Sequence, residues 1–109
     1  MAPVPFSRPE PRFDPAKFPK VAIADTEGAF FDLYCLLPGQ AQAVHTHADA
    51  EKVYYVLRGR GRFTLGDQVA ELGPGEAAHA PAGVPHGVEN TAEEPLVAVT
   101  LLTPKPHRG

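Results

Sequence analysis

Two histidines one residue apart, His45 and His47, are the side chains in this sequence best suited to chemistry, and Glu51 follows them. Alternate side chains of a β-strand point to the same face, so both imidazoles can face one interior and a carboxylate further along can join them. Two neutral imidazoles and a carboxylate suit a divalent transition-metal ion such as Fe, Mn, Ni, Cu or Zn. Taken alone, the pair also fits the wet face of an edge strand.

A second group of residues further along the chain favours the metal-binding interpretation over the edge-strand interpretation. Its members stand at the spacing G-x5-P-x-G-x2-H-x3-N and are Gly75, Pro81, Gly83, His86 and Asn90. The first group has the spacing G-x5-H-x-H-x3-E and consists of Gly39, His45, His47 and Glu51. A proline and a glycine two residues apart favour a sharp connection, which would return the chain with His86 pointing inward.

The two motifs, in this order, resemble those of the cupin superfamily, and the resemblance covers residues 21–103. It is closest to the small single-domain cupins of the cupin 2 type. The resemblance implies an all-β fold, a double-stranded β-helix or jelly-roll barrel. It also implies that four side chains converge on one metal ion in the barrel mouth, and these are His45, His47, Glu51 and His86.

Two neighbouring residues, Glu51 and Lys52, compete for the fourth position of this set. Many cupins place the glutamate six residues before the glycine that follows the next strand, and counting back from Gly59 reaches Lys52. Strand alternation favours Glu51, which shares parity with both histidines, but a bulge in Ala48–Ala50 would reverse that parity. An inward Lys52 would leave either three histidines without a carboxylate or a pocket carrying a cation for an anionic ligand.

Four further residues are candidates for lining the pocket. Tyr54 and Tyr55 are neighbours on one predicted strand, so one must face inward and the other outward. Lys52 is a candidate for the reason just given. His79 either lines the mouth of the pocket or lies outside the barrel.

Nine short strands separated by turns are predicted, with no helix, as in a sandwich or barrel. They are Val21–Ala24, Phe30–Leu37, Ala43–His47, Val53–Leu57, Arg62–Leu65, Gln68–Leu72, Glu76–Ala80, His86–Asn90 and Leu96–Leu102. The domain organisation that follows is an extended arm over residues 1–20, a barrel over residues 21–103 and a tail over residues 104–109. His107 in the tail is expected to be solvated.

The arm holds six of the 13 prolines and three phenylalanines. Proline excludes helix and central strand there, and the aromatic residues predict that the arm lies on the domain or across a partner subunit. Because a small barrel also has strand edges to cover, we expect a homodimer in which residues 1–20 take part.

Charge and composition argue against a nucleic-acid-binding protein and against a membrane-spanning protein. A net charge of −3 does not favour nucleic acid, and no apolar run of about 18 residues predicts a membrane span. One cysteine and no signal-like start predict a cytoplasmic protein. The resemblance implies a metal-dependent enzyme acting on a small oxygen-rich metabolite, as a dioxygenase, isomerase or decarboxylase. The alternative is a non-catalytic cupin that binds a small molecule such as a sugar or an organic acid.

Overall fold

Nine β-strands form the protein in the computed structural model, which describes residues 6–106. In chain order, β1 to β9 are Lys20–Asp25, Phe30–Leu36, Ala41–His45, Glu51–Arg58, Gly61–Leu65, Gln68–Leu72, Ala77–Ala80, His86–Glu89 and Leu96–Thr103. The predicted strands are confirmed, with ends that shift by up to two residues. His107 lies outside the described residues.

The strands form two antiparallel sheets, one of five strands in the order β1-β2-β9-β4-β7 and one of four in the order β3-β8-β5-β6. This is the predicted all-β jelly roll. Neighbours in each sheet are mostly distant in sequence, as in the pairing of β2 with β9 along its whole length. The part of the chain that the structure describes contains no helix long and apolar enough to cross a membrane.

The main core lies between the two sheets. Alternation along β4 buries Tyr54 and Val56 and leaves Tyr55 and Leu57 exposed. The buried residues of this cluster come from both sheets, and they are Tyr34, Leu36, Tyr54, Val56, Phe63, Ala78, Val88 and Leu96. A second small cluster, formed by Leu33, Cys35 and Val97, packs under Phe13 of the arm.

The described part of the arm lies against the domain of its own chain. Phe13 packs on the second cluster, and the ring of Phe18 lies 5.4 Å from that of Tyr34. The Ser7 hydroxyl donates to the carbonyl oxygen of Ile23 at 2.6 Å. Phe6 is 77% exposed, so its ring has no place in this core.

The turn between β4 and β5 needs a glycine. Gly59 has φ of 79°, and a Cβ there would stand 2.2 Å from the carbonyl oxygen of Pro95. Because both the backbone conformation and the close approach exclude a side chain, this position fixes how β4 leads into β5.

Candidate metal site

Three histidine rings meet between the two sheets. One ligand atom from each of His45, His47 and His86 lies within 4.8 Å of the others. The ring centroids of His45 and His86 are 4.5 Å apart, and those of His45 and His47 are 4.9 Å apart. The two motifs of the sequence therefore converge, as the resemblance implied.

A β-bulge in β3 aims His45 at this cluster. In the pairing of β3 with β8, Gln42 stands opposite Val88 and His45 stands opposite His86, so two residues of β3 face one residue of β8. The extra residue shifts the alternation, and as a result Gln42 and His45 both line the interior while Val44 is 54% exposed.

The loop of the second motif connects the segment that carries His47 to the strand that carries His86. The backbone N–H of Gly83, at φ of 82°, donates to the carbonyl oxygen of His47 at 2.9 Å. β8 begins immediately after this loop, and His86 is its first residue. At the far end of β8, the Asn90 amide is buried and donates to the carbonyl oxygens of Leu36 and Glu94. The glycine and asparagine of the motif thus have structural roles.

Backbone hydrogen bonds set the tautomers of two rings. Nδ1 of His45 donates to the carbonyl oxygen of Ala43 at 2.8 Å, and Nδ1 of His86 donates to that of Val84 at 3.0 Å. A carbonyl oxygen can only accept, so in the neutral ring the proton is on Nδ1 and the lone pair is on Nε2. This arrangement is typical of histidines that ligate a metal.

The chemistry of the cluster fits a metal ion. Nε2 of His86 is buried and has no hydrogen-bond partner among the described residues. Burial, and then the nearby charges of His45 and Lys52, lower the pKa of His47, and burial also lowers the pKa of His86. Both rings are therefore neutral near pH 7, which is the form that binds a metal.

Glu51 lies outside this cluster, which corrects the expectation from strand alternation. Its carboxylate contacts Nε2 of His79 at 2.7 Å, and both side chains are 54% exposed. The connection between β3 and β4 breaks the alternation, so β4 begins with Glu51 outward and Lys52 inward. The cluster is consequently made of three histidines without a carboxylate.

Lys52 occupies the inward position instead. It is only 2% exposed, and its amine donates to the Tyr34 hydroxyl at 2.5 Å. The amide of Gln42 continues this network by donating to Tyr34 at 3.1 Å and accepting from the Tyr54 hydroxyl at 2.7 Å. Burial, and secondarily the charge of Lys20, lower the pKa of Lys52 to about 8.

The rings of His45 and His47 and the Lys52 amine line one cavity of about 420 Å³. Its lining residues are Lys20, Phe30, Asp32, Tyr34, Gln42, His45, His47, Lys52, Leu102 and Pro106. Asp32, Tyr34 and Gln42 were not among the residues expected from the sequence. Asp32 gave the one available signal, because it is a charged residue within an otherwise apolar strand. Burial raises its pKa, although Lys52 and Lys20 oppose that shift.

The other pocket-lining candidates, Tyr54, Tyr55 and His79, differ in where they lie. Tyr54 is fully buried beside the cluster, with its ring 6.2 Å from that of His86. Tyr55 is 43% exposed on the outer face, and His79 lies outside the barrel with Glu51. Neither Tyr55 nor His79 lines the cavity beside His45 and His47, because Tyr55 occupies an outward position of β4 and His79 an outward position of β7.

Known proteins share this architecture. A family model described as "Cupin domain" matches residues 32–102. A solved structure of a Thermus thermophilus protein is 45% identical, with a TM-score of 0.85, covering 87% of this chain and 90% of that chain. An uncharacterized protein of Methanocaldococcus jannaschii is 36% identical over 53% of this chain and 46% of its own length. An oxalate-binding protein of Thermotoga maritima is 30% identical over 62% of this chain and 57% of its own length.

Proposed function

We propose, from the premise that this chain belongs to the cupin domain family, that it binds one divalent transition-metal ion through His45, His47 and His86 and acts as an enzyme on a small oxygen-rich metabolite. The observation that carries the proposal is the buried Nε2 of His86, which has no hydrogen-bond partner among residues 6–106 and belongs to a cluster of three histidine rings. Buried polar atoms are normally paired, so an atom of this kind requires an explanation, and a metal supplies one.

The side chains at the site have three separate roles, which are to bind the metal, to limit water and to orient the ligand. The three imidazoles hold the ion, and the hydrogen bonds of Nδ1 to backbone carbonyls keep two of them oriented. When bound, such an ion supplies Lewis-acid or redox chemistry to the oxygen atoms of a small ligand. Phe30 and Leu102 give the cavity an apolar wall that limits water, and the Tyr34–Gln42 pair presents polar groups that orient a ligand. Dioxygenase, isomerase and decarboxylase reactions all remain candidates for this site.

Elemental analysis tests the metal part of this proposal. Protein purified without chelator is expected to carry close to one equivalent of a transition metal, and His45→Ala, His47→Ala and His86→Ala are expected to lose it. Oxygen uptake and carbon dioxide release are then measured with the loaded protein and a panel of small hydroxy acids, keto acids and sugars. Metal content that is the same in all three variants would contradict the proposed site.

A non-catalytic binding role is the second candidate. The relative named as an oxalate-binding protein favours it, because the same kind of pocket can hold a small organic acid without converting it. Tight binding of a small acid with no change in its chemistry after prolonged incubation would support this function over the enzymatic one.

We also propose a homodimer with participation of the arm. Phe6 is 77% exposed, and Val44 and Val69 on the four-stranded sheet are 54% and 56% exposed. Val44 and Val69 line the same surface depression of this sheet, and grouped exposed apolar side chains indicate a contact with another protein. Sedimentation at micromolar concentration tests this proposal, and a monomer would contradict it.

A further inference from the structure

Lys52 carries a positive charge into the interior of this protein without a counter-charge in contact with it. The side chain is 2% exposed on β4. Buried ammonium groups in proteins are normally paired with a carboxylate or another anion, because removing the charge from water is costly. Among the side chains that the structure describes, no carboxylate lies within ion-pair distance of this amine.

The contacts of the amine leave most of its hydrogen-bonding capacity unused. An ammonium group has three N–H donors, and within residues 6–106 Lys52 donates one hydrogen bond, to the Tyr34 hydroxyl. Burial raises the pKa of Tyr34 to about 12, so this partner is neutral. The amine also lies 4.4 Å and 5.3 Å from the ring centroids of Tyr34 and Tyr54. These rings stabilise a cation but do not neutralise it.

The charged side chains that line the cavity also carry more positive than negative charge. The three imidazoles are neutral ligands, and Glu51 contributes no negative charge because it faces outward. Lys20 adds a second cation to the cavity lining, and Asp32 is the single carboxylate among the lining residues that the structure describes. A divalent ion in the histidine cluster would add two further positive charges that no carboxylate of the cluster balances.

We infer that Lys52 is the anion-recognising residue of this cavity and that the ligand is a small carboxylate, one of whose oxygens accepts a hydrogen bond from the Lys52 amine. This inference rests on the proposed metal site and names the class of ligand for it. Lys52 stands where the resemblance allowed a carboxylate ligand from the protein, so the negative charge comes from the bound molecule instead. The cavity of about 420 Å³ is large enough for a small organic acid.

A matched pair of probes tests the role of charge. Glycolate and its neutral amide, glycolamide, have the same number of heavy atoms and differ in charge. Their affinities for zinc-loaded protein are measured by titration calorimetry, with zinc content determined first for every sample. The wild-type protein is expected to prefer glycolate, and Lys52→Met is expected to bind glycolate about 10- to 100-fold more weakly with its zinc content and glycolamide affinity unchanged.

Two further variants test whether the effect is specific to the charge of Lys52. Lys17→Met removes one positive charge at an exposed position of the arm and is expected to bind glycolate as the wild type does. Lys52→Gln keeps an uncharged polar group at the site, and it replaces Lys52→Met if that variant does not fold. A wild type that takes up no zinc would refute the proposed metal site. Zinc uptake with equal glycolate affinity in the wild type and both Lys52 variants would refute this inference alone.

Discussion

Among single residues, His86 has the strongest case as a metal ligand. Its ring is 1% exposed, its Nδ1 donates to the carbonyl oxygen of Val84, and its Nε2 has no partner in the described part of the chain. We expect His86→Ala to lower zinc affinity by at least about 100-fold, because one of the three ligands is lost. Competition with a chromophoric zinc chelator measures this affinity.

His79 is the matched control for that experiment. It is a histidine of the same barrel, but it is half-exposed and paired with Glu51 on the outer face. His79→Ala and Glu51→Gln are both expected to leave zinc affinity unchanged. A loss of affinity in Glu51→Gln comparable to that in His86→Ala would show that the carboxylate reaches the ion after all.

The buried amine of Lys52 predicts a pH dependence of stability. The pKa of Lys52 is lowered from 10.5 to about 8, so between these values the unfolded chain holds a proton that the folded protein releases. Because the unfolded state binds more protons in this window, the free energy of unfolding rises with pH. We expect Lys52 to contribute an increase on the order of 2 kcal/mol between pH 8 and pH 10. The Cys35 thiol, whose pKa is raised by burial from 9.0, contributes in the opposite direction. Urea unfolding of metal-free protein measures it.

Lys52→Met isolates this effect, because it keeps the length of the side chain and removes its charge. The variant is expected to be more stable than the wild type at pH 7 and to show little of the rise between pH 8 and pH 10. The window stops at pH 10 because burial raises the pKa of Tyr34 to about 12, so unfolding releases a tyrosine proton above pH 10 and stability then falls. Parallel pH curves for the two proteins would contradict the burial of a charged Lys52.

At the scale of strands, the approach of β8 to the bulge of β3 positions His45. A Cβ on Gly87 would stand 2.8 Å from the carbonyl oxygen of Gln42 and 3.0 Å from the backbone of Val44. We expect Gly87→Ala to destabilise the protein by about 1–3 kcal/mol and to weaken zinc binding by about tenfold, since β3 must move and His45 moves with it. Urea unfolding and zinc competition measure the two effects.

Gly28→Ala is the control for Gly87→Ala. A Cβ on Gly28 would meet no atom closer than the Thr26 hydroxyl at 3.9 Å, and its backbone needs no positive φ. Stability and zinc affinity are both expected to stay close to those of the wild type. Unchanged zinc affinity in a destabilised Gly87→Ala protein would mean that the bulge does not set the position of His45.

The strands themselves were predictable from sequence, and the direction of several side chains was not. Runs of β-branched, aromatic and other apolar residues between glycine and proline turns identify elements such as β4 and β9 directly. Alternation gives side-chain direction only while the pairing is regular. The bulge in β3 and the connection before β4 each change the parity, and this is why Lys52 rather than Glu51 faces the cavity.

The residues that face the histidines across the cavity could not be predicted from sequence, because they lie on the other sheet. Asp32 and Tyr34 lie on β2, which pairs with β1 and β9 and not with the strands of the histidines. Only the packing of one sheet on the other brings them to the site. Local patterns could therefore give the metal-ligand candidates, whose spacing lies within each motif, but not the residues that face them.

For the whole molecule, the site joins the two sheets. β3 and β8 of the four-stranded sheet contribute His45 and His86, with His47 just beyond β3, while Lys52 and Tyr34 come from the five-stranded sheet. A metal ion would tie the end of β3 to the start of β8, and a carboxylate anion would bridge from there to β4. Binding at this place should consequently stabilise the folded protein as a unit.

This coupling predicts that metal binding raises the unfolding temperature. At a free zinc concentration 100 times the dissociation constant, binding to the folded state alone adds about 2.7 kcal/mol. For a domain of this size the unfolding temperature should rise by about 10 °C or more. Differential scanning calorimetry with and without zinc measures the shift. It should survive in His79→Ala and disappear in His86→Ala, because only the second removes a member of the cluster. If His86→Ala kept the full shift, the stabilising ion would bind elsewhere on the protein.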